Sequence, residues 1–208
     1  MDTLKRYNVH LKSLSPVIMH SDKLCNPLNP ITKKIKEISS LGKNKKDEHY
    51  IAMARLEWEG GMYYNEELGV YMPSKTLMGC FQAAARKFKL GKATKAVTID
   101  CAIGTPLIGY KGMTIEKLWN ATNKAGEQTH VFCETVVVSR ARIMRTRSIF
   151  PKWEVNFDLY LNVELLSIEQ LTKIIETAGF EYGLCELRPE LATGTYGRFT
   201  LESIKEVK

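Results

Sequence analysis

Residues 153–207 constrain the fold most tightly, because they read in order as strand, helix, glycine-rich loop and strand. In WEVNFDLYL, the residues Trp153, Val155, Phe157, Leu159 and Leu161 alternate with Glu154, Asn156, Asp158 and Tyr160. A period of two marks a strand with one face in a core and the other in water. In SIEQLTKIIETAGF, Ile168, Leu171, Ile175 and Ala178 recur at helical spacing. Ser167 is placed as an N-cap, and Gly179 suits the left-handed residue that ends a helix. The loop GLCELRPELATGTYGRF then gathers Gly183, Gly194 and Gly197 around Arg188, Pro189 and Arg198, and FTLESIKEV closes as a strand. Backbone amides beside guanidinium forks suit a phosphate backbone. A plain surface turn with two solvated arginines is the competing reading.

The rest of the chain supplies partners for that segment. A first strand is expected over 6–14, with Tyr7, Val9 and Leu11 on one face and Arg6, Asn8, His10 and Lys12 on the other. PSKTLMGCFQAAARKFKLGK predicts a helix over 74–88: Pro73 and Ser74 open it, Leu77, Phe81, Ala84 and Phe88 share a face, and Gly91 stops it. The run CETVVVSRARIMRTRSIFP reads as one strand over 133–147, with arginines on both faces unless a bulge rotates it. Smaller pieces are a helix in HYIAMARLEW, a hairpin turning near Asn65 and Gly69, and short strands over 97–110. Strand 6–14, helix 74–88, strand 133–147, strand 153–161, helix 168–179 and strand 196–205 predict an α+β fold. Its expected form is a ferredoxin-like (RRM-like) β-α-β-β-α-β antiparallel sheet, with insertions after the first strand and first helix, in a single domain over 1–208. The aromatic signature of RNA-recognition domains is absent, which removes base stacking on the sheet as an expectation.

Charge narrows the class of partner. The formal net charge is +7, and residues 1–46 hold ten Lys or Arg against three Asp or Glu, leaving the rest of the chain balanced. Lys33, Lys34, Lys36, Lys43, Lys45 and Lys46 crowd a basic insertion at about 24–49, where Ile31, Ile35 and Ile38 suggest one short amphipathic helix. Two acid-free windows follow, one over 73–99 that includes Arg86 and Lys87, the other over 135–153 with Arg140, Arg142, Arg145 and Arg147. Segregated positive charge is the footprint of a polyanion binder; solvated faces balanced elsewhere are the alternative. No run approaches the roughly 20 apolar residues of a membrane span, so no membrane partner is expected. MDTLKRYNVH lacks the apolar core of a secretion signal, which places the chain in the cytoplasm. Cys25, Cys80, Cys101, Cys133 and Cys185 are odd in number and never form CxxC, so neither a disulfide framework nor a zinc site is expected.

Two motifs together carry a family resemblance. YMPSKTLMGCFQAAARKF and the tail GLCELRPELATGTYGRF resemble, in order and in placement, the helix motif and the glycine-rich loop of the repeat-associated mysterious protein (RAMP) superfamily, in its Cas7-like branch. The chain is also similar in general character to proteins carried by bacteriophages. The resemblance implies a protein that binds single-stranded RNA along its backbone and assembles into a filament or a CRISPR-associated effector complex. It implies no cofactor, and no His-Tyr-Lys processing site is recognisable.

The expected function is therefore non-catalytic binding of single-stranded nucleic acid, RNA ahead of DNA, with self-association or related subunits as further partners. The contacts would come from the basic insertion, from Arg86 and Lys87, from the four arginines of 140–147, and from Arg188, Gly194, Gly197 and Arg198 in the last loop. An endoribonuclease of the same superfamily is the first alternative. His20 is its weak candidate base, with His10, Asp22 or Asp100 as further groups, and no spacing pairs them. A phage protein-interaction or assembly factor is the second.

Overall fold

The computed structural model describes residues 3–138, 140–191 and 194–207. In chain order the elements are β1 (Leu4–Ser13), β2 (Val17–Met19), α1 (Pro30–Ser40), α2 (Asp47–Gly61), β3 (Tyr64–Asn65), β4 (Gly69–Pro73), α3 (Ser74–Lys87), β5 (Val97–Ile99), β6 (Gly104–Pro106), α4 (Ile115–Trp119), β7 (Val131–Val138), β8 (Ala141–Phe150), β9 (Glu154–Asn162), α5 (Ile168–Thr177) and β10 (Phe199–Val207). The class is α+β with antiparallel sheets. The chain divides into two compact units: Met1–Val17, Tyr64–Met113 and Pro151–Lys208 make the first, Ile18–Tyr63 and Thr114–Phe150 the second. None of the described helices is long and apolar enough to cross a membrane.

In the first unit, four strands form an antiparallel sheet in the order β10-β1-β9-β5. Register places Tyr7 opposite Leu159, Val9 opposite Phe157 and Leu11 opposite Val155, so the apolar residues of both strands share a face. Those residues are buried with Val97, Ile99 and Phe199, as are Leu77, Phe81 and Ala84 of α3 and Leu171, Ile174 and Ile175 of α5. Each of the Val, Leu, Ile and Phe side chains contributes about 1.5–3 kcal/mol on burial, which is why the alternation and the helical spacing select this arrangement. The opposite face is polar and charge-compensated. Arg6 pairs with Asp158 at 2.7 Å and with Asp100 at 3.1 Å, Asn8 donates to Asp158 at 2.6 Å, and His10 meets Glu154 at 2.9 Å. A second, small sheet in this unit has the order β3-β4-β6.

Helix α5 begins as expected, in a capping box: the Gln170 amide donates to Ser167 Oγ at 3.3 Å, and the Ser167 amide donates to Gln170 Oε1 at 3.0 Å. Its end corrects the expectation for Gly179. The helix widens into one π-type turn at Ala178–Tyr182, and the left-handed residue is Gly183, at φ 71°. Gly179 is required for a different reason: a Cβ there would lie 2.1 Å from the Phe199 carbonyl oxygen.

Residues 133–147 are not the second strand of the main sheet. They belong to a hairpin of β7 and β8, which reverses between Val138 and Ala141 with Arg140 left-handed at φ 68°. This hairpin lies in the second unit, in a sheet of order β2-β8-β7. The strand that follows α3 and enters the main sheet is β5, pairing Val97 with Leu161 and Ile99 with Leu159.

The second unit closes around Trp58, which is fully buried and donates from Nε1 to the His130 carbonyl at 2.7 Å. Arg55 lies over the rings of both Trp58 and Trp119, 5.1 and 4.8 Å from their centroids, and pairs with Glu116. The segment at 24–49 folds chiefly as α1, capped by Asn29 Oδ1, which accepts from the Ile31 amide at 2.9 Å. His130 is buried and stacks on Phe150 at 5.5 Å. Burial holds its imidazole below the ordinary pKa, opposed by a hydrogen bond with the Ile149 carbonyl. A depressed pKa means the unfolded chain binds the proton more readily, so stability should fall as pH drops below about 6.5 and level off below the folded pKa. Urea titrations at pH 7.5 and 5.0 check this, with His130→Gln flattening the dependence.

Candidate nucleic-acid interface

The end of α3 and the turn after it build a cationic depression in the first unit. Phe88, Lys89 and Leu90 turn back on the helix, with the Lys89 amide donating to the Arg86 carbonyl at 3.0 Å and the Leu90 amide to Ala85 at 2.9 Å. Lys89 takes the left-handed conformation at φ 60°. Thr94 Oγ1 then donates to the Gly91 carbonyl at 2.7 Å and starts a short 3₁₀ turn at Ala93–Ala96. These local bonds bring Arg86, Lys89, Lys92 and Lys95 around one hollow of about 560 Å³, completed by Gln82 and Gly91.

All four cations are exposed, and none forms an ion pair among the described residues. A helix C-terminus carries roughly half a negative charge, which one of them offsets. The others leave a net positive field in a depression whose lining contains no carboxylate. Lys87, by contrast, turns to Glu181 at 2.6 Å. Sequence reasoning selected Arg86 and Lys87 but not Lys89, Lys92 or Lys95. The acid-free window over 73–99 held the signal, and the path of the chain past the helix end decides which of its cations converge.

The last loop uses its expected binding groups internally. Arg188 donates from Nε to Glu190 at 2.8 Å and from Nη1 to the Cys185 carbonyl at 2.9 Å. The Gly197 amide donates to the Pro16 carbonyl at 2.7 Å, and a Cβ at Gly194 would lie 2.1 Å from the Leu187 oxygen. Arg198 stacks over Phe180 at 5.0 Å, and its amide donates to Ser15 Oγ. Burial pushes the thiols of Cys80 and Cys185 up to about 12, so both stay protonated and unreactive at neutral pH.

In the second unit, Lys33, Lys34 and Lys36 stand exposed on α1, Lys43 and Lys46 are exposed beyond it, and Lys45 donates to the Ser39 carbonyl at 3.0 Å. Arg140 and Arg142 are exposed on the hairpin. Arg145 is paired with the buried Glu57, and Arg147 is half-buried. Lys36, Arg145, Arg147 and His20 border one cavity. Among the described residues no cluster of three His, Cys, Asp or Glu side chains is arranged to hold a metal ion. His10 is engaged by Glu154, and Asp100 by Arg6. No protein-family model matches the sequence, and no curated protein matches it either.

Proposed function

We propose that this chain binds single-stranded nucleic acid through its phosphate backbone without cleaving it, RNA in preference to DNA, and self-associates along the bound strand. The observation that carries the reading is the hollow formed by Arg86, Lys89, Lys92 and Lys95, four exposed cations with no carboxylate in the lining. Phosphates spaced along a strand are the polyanion that such a hollow suits. The exposed lysines of α1 and Arg140 and Arg142 extend the cationic surface available in the second unit. The first unit is read as ferredoxin-like: a helix follows the first strand, a second helix follows the third, and the sheet order is β10-β1-β9-β5. The preference for RNA, the self-association and the RAMP relationship rest on the two sequence motifs.

Fluorescence anisotropy with a labelled oligouridylate tests the reading. Four phosphate contacts on a single strand predict a loss of affinity of about fifty-fold between 50 and 200 mM salt. The double reversal Lys92→Glu and Lys95→Glu should weaken binding by at least about tenfold and make the salt slope shallower. Affinity independent of salt, or untouched by the double reversal, sinks the proposal. A matched deoxyoligonucleotide measures the preference for RNA.

A further inference from the structure

Two kinds of side chain line the hollow at the end of α3, and they do different chemistry. Arg86, Lys89, Lys92 and Lys95 carry donors and no acceptor, so they respond to negative charge alone. The Gly91 carbonyl already accepts from Thr94 Oγ1 at 2.7 Å. Among the described residues of the lining, Gln82 is the one whose side chain both donates and accepts, through its amide nitrogen and amide oxygen. It is exposed, and its amide makes no hydrogen bond to another described residue. Gln82 stands four residues before Arg86 on the same face of α3, which puts their Cβ atoms about 5–6 Å apart.

The oxygens of a phosphodiester accept and never donate, so the four cations treat RNA and DNA strands alike. The ribose 2′-hydroxyl both donates and accepts, and it is the group by which a protein tells the two apart. It sits on the carbon next to the one that bears the 3′-phosphate. A side chain one helical turn from the guanidinium that holds that phosphate is therefore within reach of the hydroxyl. A cation can donate to the hydroxyl oxygen, but its hydrogen needs an acceptor, which Gln82 Oε1 supplies. We infer that Gln82 reads the 2′-hydroxyl of a strand whose phosphate is held by Arg86, and so sets the preference for RNA over DNA. The inference rests on the proposed binding of a strand in this hollow, and it gives that preference a source in one named side chain. No aromatic ring is among the described residues of the lining, so base stacking adds nothing to the discrimination.

The experiment compares three labelled strands of one length, oligouridylate, oligodeoxyuridylate and 2′-fluoro-oligouridylate, on the full chain and on Gln82→Met. Fluorine removes the hydroxyl donor while keeping the sugar pucker of RNA, so it separates a contact to the hydroxyl from a preference for strand shape. Gln82→Met keeps side-chain length and helix propensity but has no donor and only a weak acceptor. The unaltered chain should bind oligouridylate about fivefold more tightly than either other strand, the worth of about one hydrogen bond. In Gln82→Met that advantage should vanish, through a loss of about fivefold with oligouridylate and no change with the other two. Gln82→Ala should give the same loss, and far-ultraviolet dichroism should be unaltered in both variants because the position is exposed. The salt slope should keep its value throughout, since phosphate contacts set it. An equal loss with all three strands, or an RNA advantage that survives both substitutions, overturns the inference. So does a 2′-fluoro strand that binds the unaltered chain as tightly as oligouridylate. In those cases, salt-dependent binding that falls on the double reversal of Lys92 and Lys95 leaves phosphate-backbone binding standing. Absence of salt-dependent binding to all three strands removes that reading, and this inference with it.

Discussion

Gly197→Ala should destabilise the first unit by about 2–5 kcal/mol, a large fraction of the roughly 5–15 kcal/mol that an ordinary domain has. Two effects add. Gly197 sits at φ 71°, a conformation that costs an L-residue roughly 1–2 kcal/mol. An added Cβ would also lie 2.0 Å from the Leu184 carbonyl oxygen and 2.7 Å from the Leu184 nitrogen, so backbone would have to move. That backbone is not free to yield. The Leu184 amide donates to the Gly197 carbonyl at 3.0 Å, and the Gly197 amide donates to Pro16 at 2.7 Å, tying the end of β1 to the last loop. Gly109→Ala isolates the first effect, since Gly109 has φ 92° with nothing within 4 Å of an added Cβ, and it should cost only about 1 kcal/mol. Urea unfolding followed by circular dichroism gives both values. Equal costs at the two positions would remove the close-approach explanation for the glycine-rich loop.

Glu57→Ala is expected to cost about 3 kcal/mol, through the second unit. Its carboxylate is buried and takes donors from Arg145 and from the Thr146 amide, so truncation leaves a charge and a backbone N–H without their acceptor. Breaking a buried pair costs about 3–5 kcal/mol, and the low end applies because Arg145 remains about a third exposed and water can reach it. Glu57→Gln keeps an oxygen for the Thr146 amide and should cost less, about 1.5–3 kcal/mol. Adding Arg145→Met to Glu57→Ala should restore part of the loss, because no charge is then stranded. A double-mutant cycle in which the two changes simply add would show that the pair is not coupled.

Elements with a long, regular pattern were legible in the sequence. The alternation over 153–161 and the spacing over 168–178 became β9 and α5 within a residue or two, as did the opening strand and α3. The second strand of the main sheet was not legible, because β5 is three residues long and cannot display a period. The branched residues Val136, Val137 and Val138 instead made 133–147 look like one strand. The hairpin hidden there reverses beside Arg140, a left-handed residue with none of the glycine or asparagine that normally announces such a turn. For the site, the acid-free windows located cations but not their partners. Arg145 is neutralised by Glu57, and Lys87 by Glu181, each carboxylate lying far away in the chain. Only tertiary contacts separate those cations from Lys89, Lys92 and Lys95, which meet beyond the end of a helix.

The interleaving of the two units sets an order of events during synthesis. Strand β1 precedes the whole second unit in the chain, whereas its partners β9 and β10 follow it. Every residue of the second unit has been made once Phe150 is added. The nascent chain can therefore complete its second unit while Tyr7, Val9 and Leu11 still lack a neighbouring strand, and an unpaired apolar strand is the kind of segment that aggregates. Residues 4–13 therefore stay without their strand partners until β9 and β10 have been made.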